Sequence, residues 1–172
     1  HIMTNLAVGG RAAVVVPEGV LFRGGADQKV RQRLLENFNV HTVLSLPAGC
    51  FQPYAGVKTN VLFFERTKNQ AGTKSVWFYE LTNDGFELST TRKPIEGSQI
   101  PDFLAKIGKR EEGDNSWSVP IEELIERGYD LSAKNPNQEE AAEIRPAKEL
   151  VQSIKTKEAR ITDLLDELEE IL

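Results

Sequence analysis

Cysteine is nearly absent: Cys50 is the only one in 172 residues. An internal disulfide is therefore excluded, and the usage fits a reducing cytoplasm. One cysteine and two histidines are too few for a structural zinc site. Long apolar runs are missing too, and none approaches the ~20 residues that a membrane-spanning helix needs. The first residues, HIMTN, lack the apolar segment of a secretory signal, and His1–Met3 read as an expression scar. Several catalytic signatures are missing: G-x-S-x-G, the phosphate loop G-x-x-x-x-G-K-[ST], and H-E-x-x-H. No G-x-G-x-x-G follows a strand pattern, so a dinucleotide-type first turn is excluded.

What is present looks like an ordinary globular domain with an extension, 40% hydrophobic and 27% charged. Residues 9–66 organise it. Three short apolar runs, Ala12–Val16, Val40–Leu46 and Thr59–Phe64, are rich in Val, Leu and Phe, like strands buried on both faces. Between the first two, Val30, Leu34, Leu35 and Phe38 predict the inner side of a helix, with Lys29, Arg31, Arg33 and Glu36 mostly outside. Asp27 is placed to cap it. Strand, helix and strand predict a βαβ unit, its two strands parallel with a right-handed crossover. Only about a dozen residues follow before the third run, with Pro47, Gly49, Pro53 and Gly56 among them, so that strand is expected to return antiparallel beside the second.

The chain then changes character. Ser75–Leu81 predicts an aromatic strand with one face at least partly open, and Phe86–Ser89 a weaker strand closing a β-hairpin. Residues 92–138 are rich in Gly and Pro, with short helices expected at Pro101–Ile107 and Pro120–Arg127. From residue 139 to 172 the composition turns helical. Ala147, Ile154, Ile161 and Leu168 recur every seventh residue, with Leu150, Leu164 and Ile171 as companions. That stripe needs cover from its own domain, from another subunit, or from a second copy.

Charge is uneven. Residues 1–66 carry seven Lys/Arg and four Asp/Glu, residues 67–172 fourteen and twenty-two. A basic end suggests an anionic ligand there and an acidic tail a protein partner. Arg23, Lys29, Arg31 and Arg33 form either a solvated face or a phosphate-contacting patch. His41, opening a buried strand, reads as structural rather than as a proton shuttle. The loop Pro47–Asn60, PAGCFQPYAGVKTN, follows a parallel strand, where open α/β sheets place their ligands. Phe51 and Tyr54 offer aromatic faces there, and Lys58, Thr59 and Asn60 polar groups.

These residues carry a resemblance. GGRAAVVVPEGVLFRGGADQKVRQRLLE and VHTVLSLPAGCFQPYAGVKTNVLFFER are similar to the C-terminal half of the catalytic domain in modification (M) subunits of type I restriction-modification systems. KSVWFYELTNDGFELSTTRKPI and IEELIERGYDLS extend the similarity over nearly the whole chain. The resemblance implies the C-terminal half of a class I, Rossmann-like sheet and a parent that methylates adenine N6 in DNA with S-adenosylmethionine. The family's glycine-rich cofactor turn and its Asn-Pro-Pro motif have no counterpart here, so this chain alone is expected to be inactive and to hold no cofactor. The resemblance further implies a target-base pocket wall from Phe51, Gly56, Lys58, Thr59 and Asn60, and the charge cluster Arg23, Lys29, Arg31 and Arg33 is the candidate DNA contact. It also implies docking to the specificity (S) subunit through Leu150, Ile154, Ile161, Leu164, Leu168 and Ile171, with the restriction (R) subunit a further partner. The predicted layout is residues 4–91 as a partial methyltransferase domain, 92–138 irregular, and 139–172 a coiled-coil-like helix. The alternative is a non-catalytic module that binds the S subunit or itself, through this helix or an exposed sheet edge.

Overall fold

The structure is a computed structural model that describes residues 1–69, 71–132, 134–137, 157, 158 and 161. The chain divides into two units, residues 1–138 and 139–172. In the second, Lys157, Glu158 and Ile161 are helical and exposed. The other predicted docking residues, Leu150, Ile154, Leu164, Leu168 and Ile171, lie outside the described residues.

The first unit is built on a five-stranded sheet of the described residues, ordered β1-β3-β2-β4-β5. Its strands are β1 (Arg11–Pro17), β2 (Asn39–Ser45), β3 (Thr59–Glu65), β4 (Ser75–Glu80) and β5 (Ser116–Pro120). One helical turn, α1 (Ile2–Asn5), precedes β1, and Met3 and Leu6 pack against the core. Between β1 and β2 come α2 (Gly19–Phe22) and α3 (Ala26–Asn37). The expected short helices exist as α4 (Ile100–Lys106) and α5 (Ile121–Glu126).

β3 returns antiparallel beside β2, as the short connection requires. The βαβ expectation holds in strand direction, with one addition. β1 and β2 do run the same way, but β3 is inserted between them and is antiparallel to both. The physical reason lies in the side chains. Leu62 and Phe64 of β3 enter the core on one face, while Val61 and Phe63 pack on the other. β1 alternates exposed and half-buried residues throughout, the pattern of an outer strand.

The predicted hairpin is corrected. β4 pairs parallel with β2 and antiparallel with β5, whereas Phe86 forms only an isolated bridge to Pro94. Neither face of β4 is open: Val76, Trp77, Phe78 and Tyr79 are all buried. Trp117 of β5 stacks on Phe78 at 5.5 Å, and Phe103 of α4 stacks on Trp77 at 6.0 Å. Two apolar clusters result. The larger joins Leu21, Leu34, Leu35 and Phe38 to Leu62, Phe64, Phe78 and Leu124, and the smaller gathers Leu44, Trp77, Tyr79, Leu81 and Phe103.

α3 presents a different face from the one predicted. Arg31 is 2% exposed and Val30 is 49% exposed. The buried positions 31, 34, 35 and 38 follow the i, i+3, i+4, i+7 rule, and Val30 falls off that stripe. Gly25, with φ 68, occupies the N-cap position, and Asp27 sits in the first turn instead.

Candidate functional site

Four chain segments meet at one end of the sheet. Pro17 at the end of β1 pairs with Thr59 at the start of β3, and Asn60 lies between Val16 and Ser45. The Glu18 N–H donates to the Lys58 carbonyl and the Leu46 N–H to the Thr59 carbonyl, both at 3.0 Å. β4 ends there too, its Leu81 N–H donating to the Ser45 carbonyl at 2.9 Å. Carboxyl ends of parallel strands are where open α/β sheets hold ligands, because the loops converge there and leave concave space.

The loop over this end is a run of tight turns. The Gln52 N–H donates to the Gly49 carbonyl, and the Tyr54 and Ala55 N–H groups both reach the Phe51 carbonyl. Gly49 has φ 87, a conformation that penalises any residue with a Cβ. These turns hold two aromatic rings out of the core, Phe51 40% exposed and Tyr54 95% exposed. Val57 is exposed as well.

The pocket residues expected from the sequence fall into two groups. Phe51, Gly56 and Lys58 are on the loop, with the Gln52 side-chain amide 3.9 Å from where a Cβ on Gly56 would stand. Thr59 and Asn60 are buried at the strand start. The Thr59 Oγ1 is 3.8 Å from the Cys50 Sγ, and the Asn60 Nδ2 is enclosed with no acceptor. Lys58 Nζ lies 3.5 Å from Glu18 Oε1. A pair this exposed is worth about 1 kcal/mol or less, so an incoming anion competes for the ammonium. Glu18 was not among the expected site residues. Its only signal in the sequence is an acid directly after a strand.

The cationic patch is only partly as expected. Arg23, Lys29 and Arg33 are exposed. Arg31 is not available to a ligand: its Nε donates to the Tyr129 carbonyl at 2.7 Å. Its Nη1 donates to the carbonyls of Val20 and Arg23, each at 2.8 Å. Burial lowers its proton affinity, and Asp130 and Asp27 oppose that loss. His41 lies near the opposite end of β2, its Nδ1 3.0 Å from the Thr42 Oγ1. Burial, then Arg110, depresses its proton affinity. Among the described residues no group of three or more His, Cys, Asp or Glu is arranged to hold a metal ion.

The N-6 DNA methylase family matches residues 1–144. The chain belongs to the N-6 DNA methylase family. It is 40% identical over 183 aligned residues to the methylase subunit of the type I restriction enzyme EcoEI from Escherichia coli, covering 99% of this chain and 36% of that one. To the StySJI methylase subunit of Salmonella typhimurium it is 39% identical, covering 72% of this chain and 25% of that one. Among solved structures it is similar to a chain of a type I R-M system, with TM-score 0.67, 41% identity and 100% and 38% of the two chains covered. The EcoKI M protein gives TM-score 0.63 at 25% identity, covering 95% and 43%. This methylase-family chain therefore spans little more than a third, or less, of the curated relatives it matches.

The family implies S-adenosylmethionine, and the turn after β1 is the described strand-to-helix turn to test. The Arg23 guanidinium lies over Gly19, its atoms 2.6–2.7 Å from where a Cβ would stand, and the Glu18 carboxylate pairs with Lys58, so this turn presents charged side chains rather than a glycine-lined backbone. A turn that must admit a cofactor needs bare backbone.

Proposed function

We propose that this chain is the C-terminal part of an M subunit of a type I restriction-modification system, whose whole transfers a methyl group from S-adenosylmethionine to adenine N6 in DNA. Its α/β unit is then the C-terminal half of a class I, Rossmann-like sheet, and the missing strands belong beside β1. The observation that carries this reading is the aromatic loop 47–58, held over the joined ends of β1, β2 and β3 in a chain of this family. An enzyme acting on adenine in a duplex takes the base out of the stack and holds it against aromatic faces. Phe51 is the stacking face, with Gly56 leaving room and Lys58 facing the nucleotide backbone. Thr59 and Asn60 support the loop from the sheet. Arg23, Lys29 and Arg33 contact DNA phosphates, while Arg31 has no part in that contact. Residues 150–171 dock the specificity subunit, and the restriction subunit joins the same assembly. This part alone is expected to hold no methyl donor.

The test has two arms. In the intact subunit with its specificity partner, Phe51→Ala is expected to lower methyl transfer about 5- to 150-fold, the equivalent of the ~1–3 kcal/mol of base–aromatic stacking. In the isolated chain, calorimetry is expected to show no micromolar binding of S-adenosylmethionine. Unchanged transfer by the variant removes the pocket assignment, and tight cofactor binding removes the division of labour.

A further inference from the structure

A second concave site lies at the other end of the sheet, remote from the loop 47–58. It is a cleft of about 310 Å³ lined by Asn39, Thr67, Gly72, Lys74, Ser75 and Arg110 among others, within the size range of small-ligand pockets. Four elements build it: the start of β2, the end of β3, the approach to β4 and the residue ending the turn after α4. Two of its lining residues are cations and none is a carboxylate. Neither the Lys74 nor the Arg110 side chain makes a hydrogen bond or ion pair among the described residues, in a chain whose formal net charge is −5.

Three acids on adjoining segments have partners of their own. Glu65 accepts from the Asn39 amide at 2.9 Å, Glu111 pairs with Lys109 at 3.4 Å, and Glu36 accepts from Tyr129 at 3.0 Å. Two carbonyls at the end of α3, those of Leu35 and Phe38, are taken by Thr73. Arg110 is held with φ 56, a conformation that disfavours a residue bearing a Cβ, while its N–H donates to the Lys106 carbonyl at 2.7 Å. Its charge is felt by His41 on β2, whose proton affinity it helps to lower. Two cations facing one cleft repel each other, and an anion seated between them relieves that repulsion.

We propose that this cleft is a phosphate-binding site, with Lys74 and Arg110 as charged donors and the Ser75 hydroxyl as a neutral one. The ligand is a phosphate group, either free, on a small nucleotide, or in a polynucleotide backbone. The site is independent of the base-pocket reading, since the two lie at opposite ends of the strands.

The probe is inorganic phosphate titrated into the 172-residue chain and followed by amide NMR. Saturable shifts are expected at residues 71–75 and 108–111, with a dissociation constant on the order of millimolar. Arg110→Gly is expected to weaken binding about tenfold or more, because a charge-assisted donor is lost. Its melting temperature should hold or rise, because glycine tolerates the positive φ. Lys74→Ala should weaken binding similarly. In a second arm, a short duplex is titrated at several salt concentrations. A salt slope reduced by about one per removed cation identifies a backbone phosphate as the source. A slope unchanged beside lost phosphate binding identifies a small phosphorylated ligand. If neither probe shifts these amides, or if both substitutions leave the shifts intact, the proposal is overturned.

Discussion

Arg31 shows how much one side chain can hold. It is 2% exposed, and its guanidinium closes three backbone carbonyls drawn from the end of α2 and from Tyr129, more than ninety residues away in sequence. Arg31→Ala leaves those carbonyls without donors, at about 2–4 kcal/mol of stability in urea unfolding. Arg31→Lys should restore only part, since an ammonium lacks the planar fork that reaches several acceptors at once. A loss under about 0.5 kcal/mol would mean that water replaces the guanidinium freely. His41 gives a second residue-scale prediction. Its folded proton affinity is depressed, first by burial and then by Arg110, so folding favours the neutral ring. The resulting stability is whole above the ordinary histidine pKa of about 6.5 and declines as pH falls below it toward the lower folded value. Urea midpoints at a series of pH values should show that slope, and His41→Gln should flatten it.

At the scale of elements, α4 is fastened to the sheet by one aromatic cluster and one polar bridge. Phe103 packs on Tyr79 at 5.3 Å and on Phe63 at 6.1 Å. The Tyr79 hydroxyl donates to the Asp102 Oδ2 at 2.7 Å, and Lys106 donates to the same oxygen at 2.9 Å. Lys106 first, and Tyr79 second, hold the Asp102 carboxyl below its usual range, while burial above all pushes the Tyr79 phenol up. Phe103→Ala is expected to cost about 3–5 kcal/mol, because it empties a site closed on several sides by rings. Thermal unfolding checks this, and a drop under about 1 kcal/mol would mean that the rings collapse into the space. The positions of α4 and α5 were legible from the prolines at their starts, Pro101 and Pro120. β5 was not, because Trp117 and Val119 alternate with serines over only five residues, too short a run to stand out from a turn.

For the molecule as a whole, the outer edge of β1 governs behaviour in solution. Among the described residues no strand pairs with it, and Val15 beside it is 52% exposed. Such an edge templates pairing with another chain. The isolated chain is therefore expected to self-associate with rising concentration in sedimentation, and Val15→Lys to hold it monomeric without loss of stability. Association unchanged by Val15→Lys would place the contact elsewhere.

The sequence by itself determined that the runs at 12–16, 40–46, 59–64 and 75–81 become strands, where α4 and α5 fall, that the third strand returns beside the second, and the family. Periodicity and breakers carry that information locally, since each residue's side of a strand or helix depends on its near neighbours. Only the tertiary structure decided that β3 enters between β1 and β2, that β4 is covered on both faces, and that Arg31 rather than Val30 turns inward. Those outcomes depend on partners far along the chain: the carbonyl of Tyr129, the ring of Phe103, the strand holding Trp117. No local pattern names a distant partner, so burial of a charge became visible only once its acceptors were assembled around it.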